Sequence, residues 1–178
     1  MNKLFQNEMS EKALRDIAGG DMSGLQVLYE NFARLLFSVA YTLTGSRETA
    51  EDVLQDTFLK VAENAASYKH RDNGSVKAWL VTICRNLSLD SLRKTVPLVE
   101  LNDNLHTADH TLCIDSDLAF FELLSPLDNE EKEIIILKLY SGLRHTEIAK
   151  ILNLSPQNIR QKYKRAVDKL KKSNKKEA

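Results

Sequence analysis

Cysteine, proline, glycine and aromatic residues are all sparse in this chain, and each shortage removes a class of explanation. Two cysteines, Cys84 and Cys113, are too few for a disulfide framework, and no paired Cys/His spacing points to zinc. Six glycines and three prolines among 178 residues are too few for a collagen-like or low-complexity chain. No apolar run approaches the roughly 20 residues that a membrane-spanning helix needs, so membrane insertion is not expected. The N-terminal MNKLFQNEMSEKALRD breaks its apolar residues with charges and does not read as a signal peptide. A cytoplasmic protein without metal or cofactor is the expectation. The hydrophobic fraction, 43%, is enough for the cores of one domain or two small ones.

A formal net charge of zero hides a steep polarity along the chain. Residues 1–95 carry 12 basic and 12 acidic residues. Residues 96–133 carry one lysine against ten acids, and residues 134–178 carry twelve basic residues against three acids. A basic segment this concentrated is a candidate polyanion binder, because each contacted phosphate releases counterions. The acidic block reads as a spacer that repels its own compaction.

Apolar residues recur at three and four almost throughout, which predicts an all-α fold. Helices are expected near 10–18, 22–43, 46–66, 75–94, 117–124, 128–141, 145–152 and 156–172. Asp21, Ser46, Ser75, Asp128 and Ser155 stand at N-cap positions, and Asp128 with Glu131 has the spacing of a capping box. Gly45, Gly74 and Gly142 punctuate helix ends. Between 96 and 116 no helical period persists, and Pro97 with the acids reads as a flexible linker. The expected organisation is a helical domain over 10–95, an acidic linker over 96–116 and a smaller helical domain over 117–175.

The segment 145–164, HTEIAKILNLSPQNIRQKYK, has the spacing of a helix-turn-helix. Ala149 provides the small residue where the second helix crosses closely. Asn153 stands where the chain turns through a left-handed conformation, and Ile159 pins the second helix to the core. Ser155 then caps that helix and Pro156 suits its first position. Ile159, Tyr163, Ala166 and Leu170 form one face. Gln157, Asn158, Arg160, Gln161, Lys164 and Arg165 occupy much of the remainder, and these side-chain types bond base edges in the major groove.

In the N-terminal half, Ala50, Val53, Leu54, Thr57, Phe58 and Val61 form an apolar arc on helix 46–66. The opposite arc holds Asp52, Gln55, Asp56 and Glu63 around Leu59, a face suited to a basic partner helix. The next helix is apolar on most sides, and its remaining positions, including Arg85, Asn86, Arg93 and Lys94, are mostly basic. Before it, the loop residues Tyr68, Lys69, His70 and Arg71 mix aromatic and basic groups, as capture of unstacked bases requires. Solvated faces and an ordinary loop are the plainer readings of the same patterns.

Taken in order, AEDVLQDTFLKVAENAASY, SVKAWLVTICRNLSLDSLRK and LSPLDNEEKEIIILKLYSGLRHTEIAKILNLSPQNIRQKYKRAVDKL closely resemble a bacterial extracytoplasmic-function (ECF) sigma factor over roughly residues 10–172. The resemblance implies a non-enzymatic factor that binds core RNA polymerase, at the clamp of the largest subunit and at the flap, and directs it to promoter DNA. It implies a stress or envelope regulon and an anti-sigma factor as a further partner. Carried over residue by residue, Asp52, Gln55, Asp56 and Phe58 lie in the clamp-binding motif, although the helical arc places Phe58 inward, as core, so the expected polymerase-binding residues are Asp52, Gln55, Asp56 and Leu59. Tyr68, Lys69, His70, Arg71, Arg85, Asn86, Arg93 and Lys94 correspond to −10 recognition. Ser155, Gln157, Asn158, Arg160, Gln161, Lys164 and Arg165 correspond to −35 recognition. Arg144, His145 and Thr146 depart from the family's usual Ser-Tyr-x before Glu147, which removes a serine cap. A conventional helix-turn-helix regulator, binding DNA without polymerase, is the alternative. An enzyme built on the acids at 48–56 lacks a paired histidine or a phosphate loop. His70, His106, His110 and His145 read as surface residues. Cys84, on a largely apolar helix, reads as buried and inert.

Overall fold

Side chains at the helix starts set the boundaries of the elements. In the computed structural model, which describes residues 3–69, 75–95 and 120–174, every regular element among the described residues is helical. Helix α1 spans Lys3–Ala18, α2 Ser23–Thr44, α3 Arg47–Asn64 and α4 Val76–Thr95. In the second half, α5 spans Asn129–Ile135 and continues as a π turn over Ile136–Tyr140. Helices α6, His145–Leu152, and α7, Pro156–Asn174, follow.

The expected caps act as caps. Ser46 Oγ accepts from Thr49 N at 3.3 Å, Ser75 Oγ from Ala78 N at 3.2 Å and Ser155 Oγ from Asn158 N at 3.1 Å. Asp128 and Glu131 close a reciprocal box, with Glu131 N on Asp128 Oδ1 at 2.8 Å and Asp128 N on Glu131 Oε2 at 3.2 Å. These bonds satisfy amides that have no partner inside their helix. Asp21 accepts from Ser23 N at 2.9 Å, one residue earlier than the formal cap Met22, and this bond holds its carboxyl below the usual range.

Three boundaries differ from the expectation. Helix α1 begins at Lys3 rather than near residue 10, and Asn7 Nδ2 bonds Glu11 Oε1 at 2.8 Å across one of its early turns. The region 117–124 is helical over the described residues 120–123 and then turns. The helix expected over 128–141 loosens into the π turn, where Ser141 N reaches Ile136 O at 3.1 Å. Four consecutive residues, Ile134, Ile135, Ile136 and Leu137, are buried there. A helix apolar on all sides must be enclosed on all sides. The expected linker, 96–116, lies outside the described residues, as do Gly74, His70 and Arg71.

Helices α1 to α4 pack around Leu14, Leu28, Leu36, Phe37, Leu54, Val61, Leu80 and Cys84, all buried. Phe58 is half-buried and tilts against Tyr29, with ring centroids 5.1 Å apart. Helices α5 to α7 pack around Ile134, Ile148, Ile159 and Ala166. The two groups touch. Tyr41 of α2 meets Phe121 edge-on, with centroids 4.9 Å apart, and the Arg34 guanidinium lies 5.9 Å above the Tyr140 ring.

Candidate nucleic-acid interface

The turn between α6 and α7 is built from Asn153, at φ 54° and ψ 44°. Leu154 N closes back on Ala149 O at 2.9 Å, so the left-handed residue and the six-residue hydrogen bond end α6 together. Ala149 is buried at the crossing, and Ile159 and Ala166 anchor α7. Helix α6 starts at His145 with Arg144 at the cap position, where no side chain accepts in place of the missing serine, and Glu147 supplies the other half of a capping box. Its Oε2 accepts the Arg144 amide at 2.9 Å.

His145 departs from the expected surface position. It is half-buried against Tyr163, with ring centroids 5.6 Å apart, and its Nε2 is buried with no hydrogen-bond partner among the described residues. Burial and the nearby Lys138 and Arg160 charges lower its pKa.

With α7 anchored this way, Ser155, Gln157, Arg160, Gln161, Lys164 and Arg165 are exposed, and Asn158 is half-buried. Two other α7 lysines are engaged internally, which sequence reasoning missed. Lys162 Nζ bonds Glu130 Oε2 at 2.7 Å, and Lys169 Nζ bonds Glu131 Oε2 at 2.6 Å. The pairing partners lie 32 and 38 residues away, beyond the reach of helical-spacing arguments.

The residues expected at the other DNA contact are dispersed along α4 and its approach. Asn86, Arg93 and Lys94 are exposed, and Arg93 Nη1 bonds Asp90 Oδ1 at 3.0 Å. Arg85 is different. Its Nε donates to Glu133 Oε1 at 2.7 Å, with the arginine side chain 21% and the glutamate side chain 6% exposed. Burial raises the Glu133 pKa, and Arg85 works against that shift. Lys69 is exposed, whereas Tyr68 is half-buried and sits edge-on to Trp79 with centroids 5.4 Å apart. The Tyr68 hydroxyl is buried without a hydrogen-bond partner among the described residues, and desolvation raises its pKa.

On α3, Asp52, Gln55, Asp56 and Leu59 are all exposed, with Leu59 at 62%. Ala50, Val53, Leu54 and Thr57 occupy the buried side. Among the described residues, no hydrogen bond or ion pair holds the Asp52, Gln55 or Asp56 side chains. The result is an acidic face around an apolar centre, open to solvent. Among the described residues no helix is long and apolar enough to cross a membrane.

Comparison with known proteins places both halves. Residues 28–96 match the model of Sigma-70 region 2, and residues 117–170 match that of Sigma-70, region 4. The ECF RNA polymerase sigma factor SigM of Bacillus subtilis (strain 168) is 26% identical over 151 residues, covering 81% of this chain and 91% of the relative. The RNA polymerase sigma factor YlaC of the same organism is 28% identical over 160 residues, covering 84% and 91%. Among solved structures, the sigma factor RpoE in complex with the anti-sigma factor NepR from Bartonella quintana superposes with a TM-score of 0.64 at 26% identity, over 83% of this chain and 94% of that one. CnrH in complex with the cytosolic domain of CnrY superposes with a TM-score of 0.69 at 20% identity, over 96% and 99%, a likeness of fold.

Proposed function

The chain belongs to the ECF RNA polymerase sigma factors, and we propose that it docks core polymerase through α3, contacts the −10 element through α4 with the loop before it, and reads the −35 element through α7. The observation that carries this reading is the pairing of an acidic, apolar-centred, exposed face on α3 with a basic, exposed face on α7. One suits a protein surface and the other suits phosphate and base edges. The domain assignment, 10–95 and 117–175 joined by the acidic segment 96–116, belongs to the same proposal, as do action in the cytoplasm, a stress or envelope regulon and control by an anti-sigma factor. Supporting the last is the likeness to a sigma factor solved with its anti-sigma factor. No residue is assigned a catalytic role.

On α7, the residues nearest the helix start reach base edges first, and the positive end of the helix dipole there suits a phosphate. Arg160 and Gln161 are placed for base readout, and Lys164 and Arg165 follow one turn later. On α3, Leu59 supplies the apolar contact and Asp52, Gln55 and Asp56 supply charge complementarity, which governs encounter and register more than raw affinity.

Run-off transcription from a promoter library, with core polymerase alone and with added protein, tests the reading. Promoter-specific transcripts are expected only with both. Tight, specific duplex binding by the free chain, with no effect on core polymerase, would instead support a conventional helix-turn-helix regulator. The double variant Gln55→Ala/Asp56→Lys is expected to lose core-polymerase binding at least tenfold in a pull-down titration, with its helical circular dichroism unchanged. These side chains make no contact that the fold uses, and surface changes of this kind cost about 0.5 kcal/mol or less. Unchanged polymerase affinity would remove α3 as the docking face.

A further inference from the structure

Helix α7 carries seven basic residues and a single acid, Asp168. At about 100° per residue, Asp168 stands opposite the inward face of Ile159, Tyr163, Ala166 and Leu170. It therefore lies at the centre of the outward face, flanked by Gln161, Lys164, Arg165, Lys171 and Lys172, and all of these side chains are exposed. The plainest use of such an acid is an intrahelical ion pair, because Lys164, Arg165, Lys171 and Lys172 stand three or four residues away. Yet among the described residues no hydrogen bond or ion pair holds the Asp168 carboxylate. Packing does not call for it either. The α7 lysines that join α5 are Lys162 and Lys169, and their partners are Glu130 and Glu131. Aspartate is also a weak helix former in a helix interior. An uncompensated anion thus sits in the middle of a cationic surface, with no role in the fold.

We propose that Asp168 sets the stringency of −35 use: its carboxylate repels phosphates at the rim of the major groove, so that α7 engages stably only where the base contacts near its start are good. This rests on the reading of α7 as the −35 helix. Asp168 is twelve residues beyond Pro156, about 18 Å along the axis at about 1.5 Å per residue. The major groove is about 12 Å wide. A helix that enters the groove by its first turns, where Arg160 and Gln161 reach base edges, has left those edges by the turn that holds Asp168. Its outward face there meets the sugar-phosphate backbone. Lysines and arginines at that level add affinity for any sequence. One carboxylate among them subtracts from the same affinity and leaves the base-edge bonds untouched. A uniform loss does not reorder sequences, but it decides which of them are occupied. Strong −35 elements stay bound, and weak ones fall below the level at which transcription starts.

Binding of the full chain to a labelled random-sequence DNA duplex, followed by fluorescence anisotropy across a salt series, tests the repulsion. Asp168→Asn is expected to bind about fivefold more tightly, the worth of one unit charge close to another in water, and to steepen the salt slope by about one. Asp168→Lys should gain more, and Asp168→Glu, which keeps the charge, should show no gain. Helical circular dichroism and the denaturation midpoint are expected to stay the same in all three. Transcription by reconstituted holoenzyme from a randomised −35 library tests the stringency. With Asp168→Asn the order of preferred sequences should be kept, while weak elements gain output relative to strong ones. Duplex affinity that is unchanged, lower or too weak to measure in Asp168→Asn and Asp168→Lys would overturn the proposal. Loss of a cytosine preference at one position of the library would overturn it too, since Asp168 would then read the cytosine amino group. Arg165→Ala and Lys172→Ala, measured alongside, keep the two levels apart. If neither weakens duplex binding, α7 does not meet DNA and the proposed function falls together with the role of Asp168. If they weaken it while Asp168→Asn changes nothing, the −35 reading stands and only the role of Asp168 falls.

Discussion

Cys84 illustrates how completely burial decides the chemistry of a single side chain. Its thiol is buried in the α1–α4 core, donates to Leu36 O at 3.3 Å, and has its pKa pushed up to about 12 by desolvation. The nucleophile is the thiolate, so Cys84 is inert in the folded chain. A Cys113→Ser variant is expected not to react with Ellman's reagent until denaturant is added. The same shift predicts a pH effect. The unfolded thiol ionises near its ordinary value of 9.0 while the folded one stays protonated, so stability is unaffected below that value and falls as pH rises toward 12. The urea midpoint of the parent should drop more steeply between about pH 8 and about pH 10.5 than that of Cys84→Ala, whose cavity shifts the baseline but not the slope.

The exposed residues of α7 lend themselves to a second test at this scale. Arg160→Ala or Gln161→Ala is expected to change which members of a randomised −35 library are transcribed. Lys172→Ala should weaken all of them alike and lower the salt slope by about one. Lys169 resembles Lys172 in sequence but is bonded to Glu131, whose side chain is only 8% exposed. Its replacement acts on the packing of α7 against α5 as well as on DNA, so it is a poor probe of phosphate contact. Parental −35 preference in the Arg160 and Gln161 variants, with output merely reduced, would displace base readout from this face.

At the scale of elements, the reach of α7 depends on how α6 ends. Asn153 holds a left-handed conformation that asparagine tolerates and β-branched residues do not. Asn153→Gly should leave thermal stability unchanged or slightly raised. Asn153→Val should cost about 1–2 kcal/mol, read as a fall in the denaturation midpoint, and should disorder the approach of α7 to DNA. The reciprocal box of Asp128 and Glu131 at the start of α5 has a second use, because Glu131 Oε2 also receives Lys169. One carboxylate therefore fixes both the start of α5 and the C-terminal half of α7. At the other end of the chain, Gly24 lets α2 begin directly against α1. A Cβ there would collide with the Ala13 carbonyl and come within 2.9 Å of Ile17 Cγ1.

In the whole molecule, charge segregation along the sequence is partly cancelled by folding. Acids of α5 meet cations of α7 and α4, through Glu130 with Lys162, Glu131 with Lys169 and Glu133 with Arg85. The faces left over are the acidic one on α3 and the basic one on α7. If residues 96–116 form a linker between two folded units, limited proteolysis should cut there first. The contacts between α2, α4 and the second half predict that the nicked fragments stay together on gel filtration at low salt. A first cut inside 10–95 or 117–175 would count against the proposed boundaries.

Local chemistry carried much of this protein in its sequence. Helix starts at Ser46, Ser75, Asp128 and Ser155 were legible because a cap is a bond between residues three apart. The turn at Asn153 was legible because few residues tolerate its backbone. The inward face of α7 and the outward face of α3 followed from a period that needs no knowledge of neighbours, and the family resemblance rested on those same strings. What sequence reading could not supply was any pairing across long separations. Arg85 looks like another basic position on α4, yet it is enclosed by a carboxylate 48 residues away. Lys162 and Lys169 read as part of a basic surface, yet they are bonded to α5. His145 read as a surface residue and lies against Tyr163. The π turn after Ile135 departs from the helical period that predicted an uninterrupted helix. Each of these was decided by which helices pack together, because burial and charge pairing depend on distance in space, and helical periodicity reports only the few residues on either side.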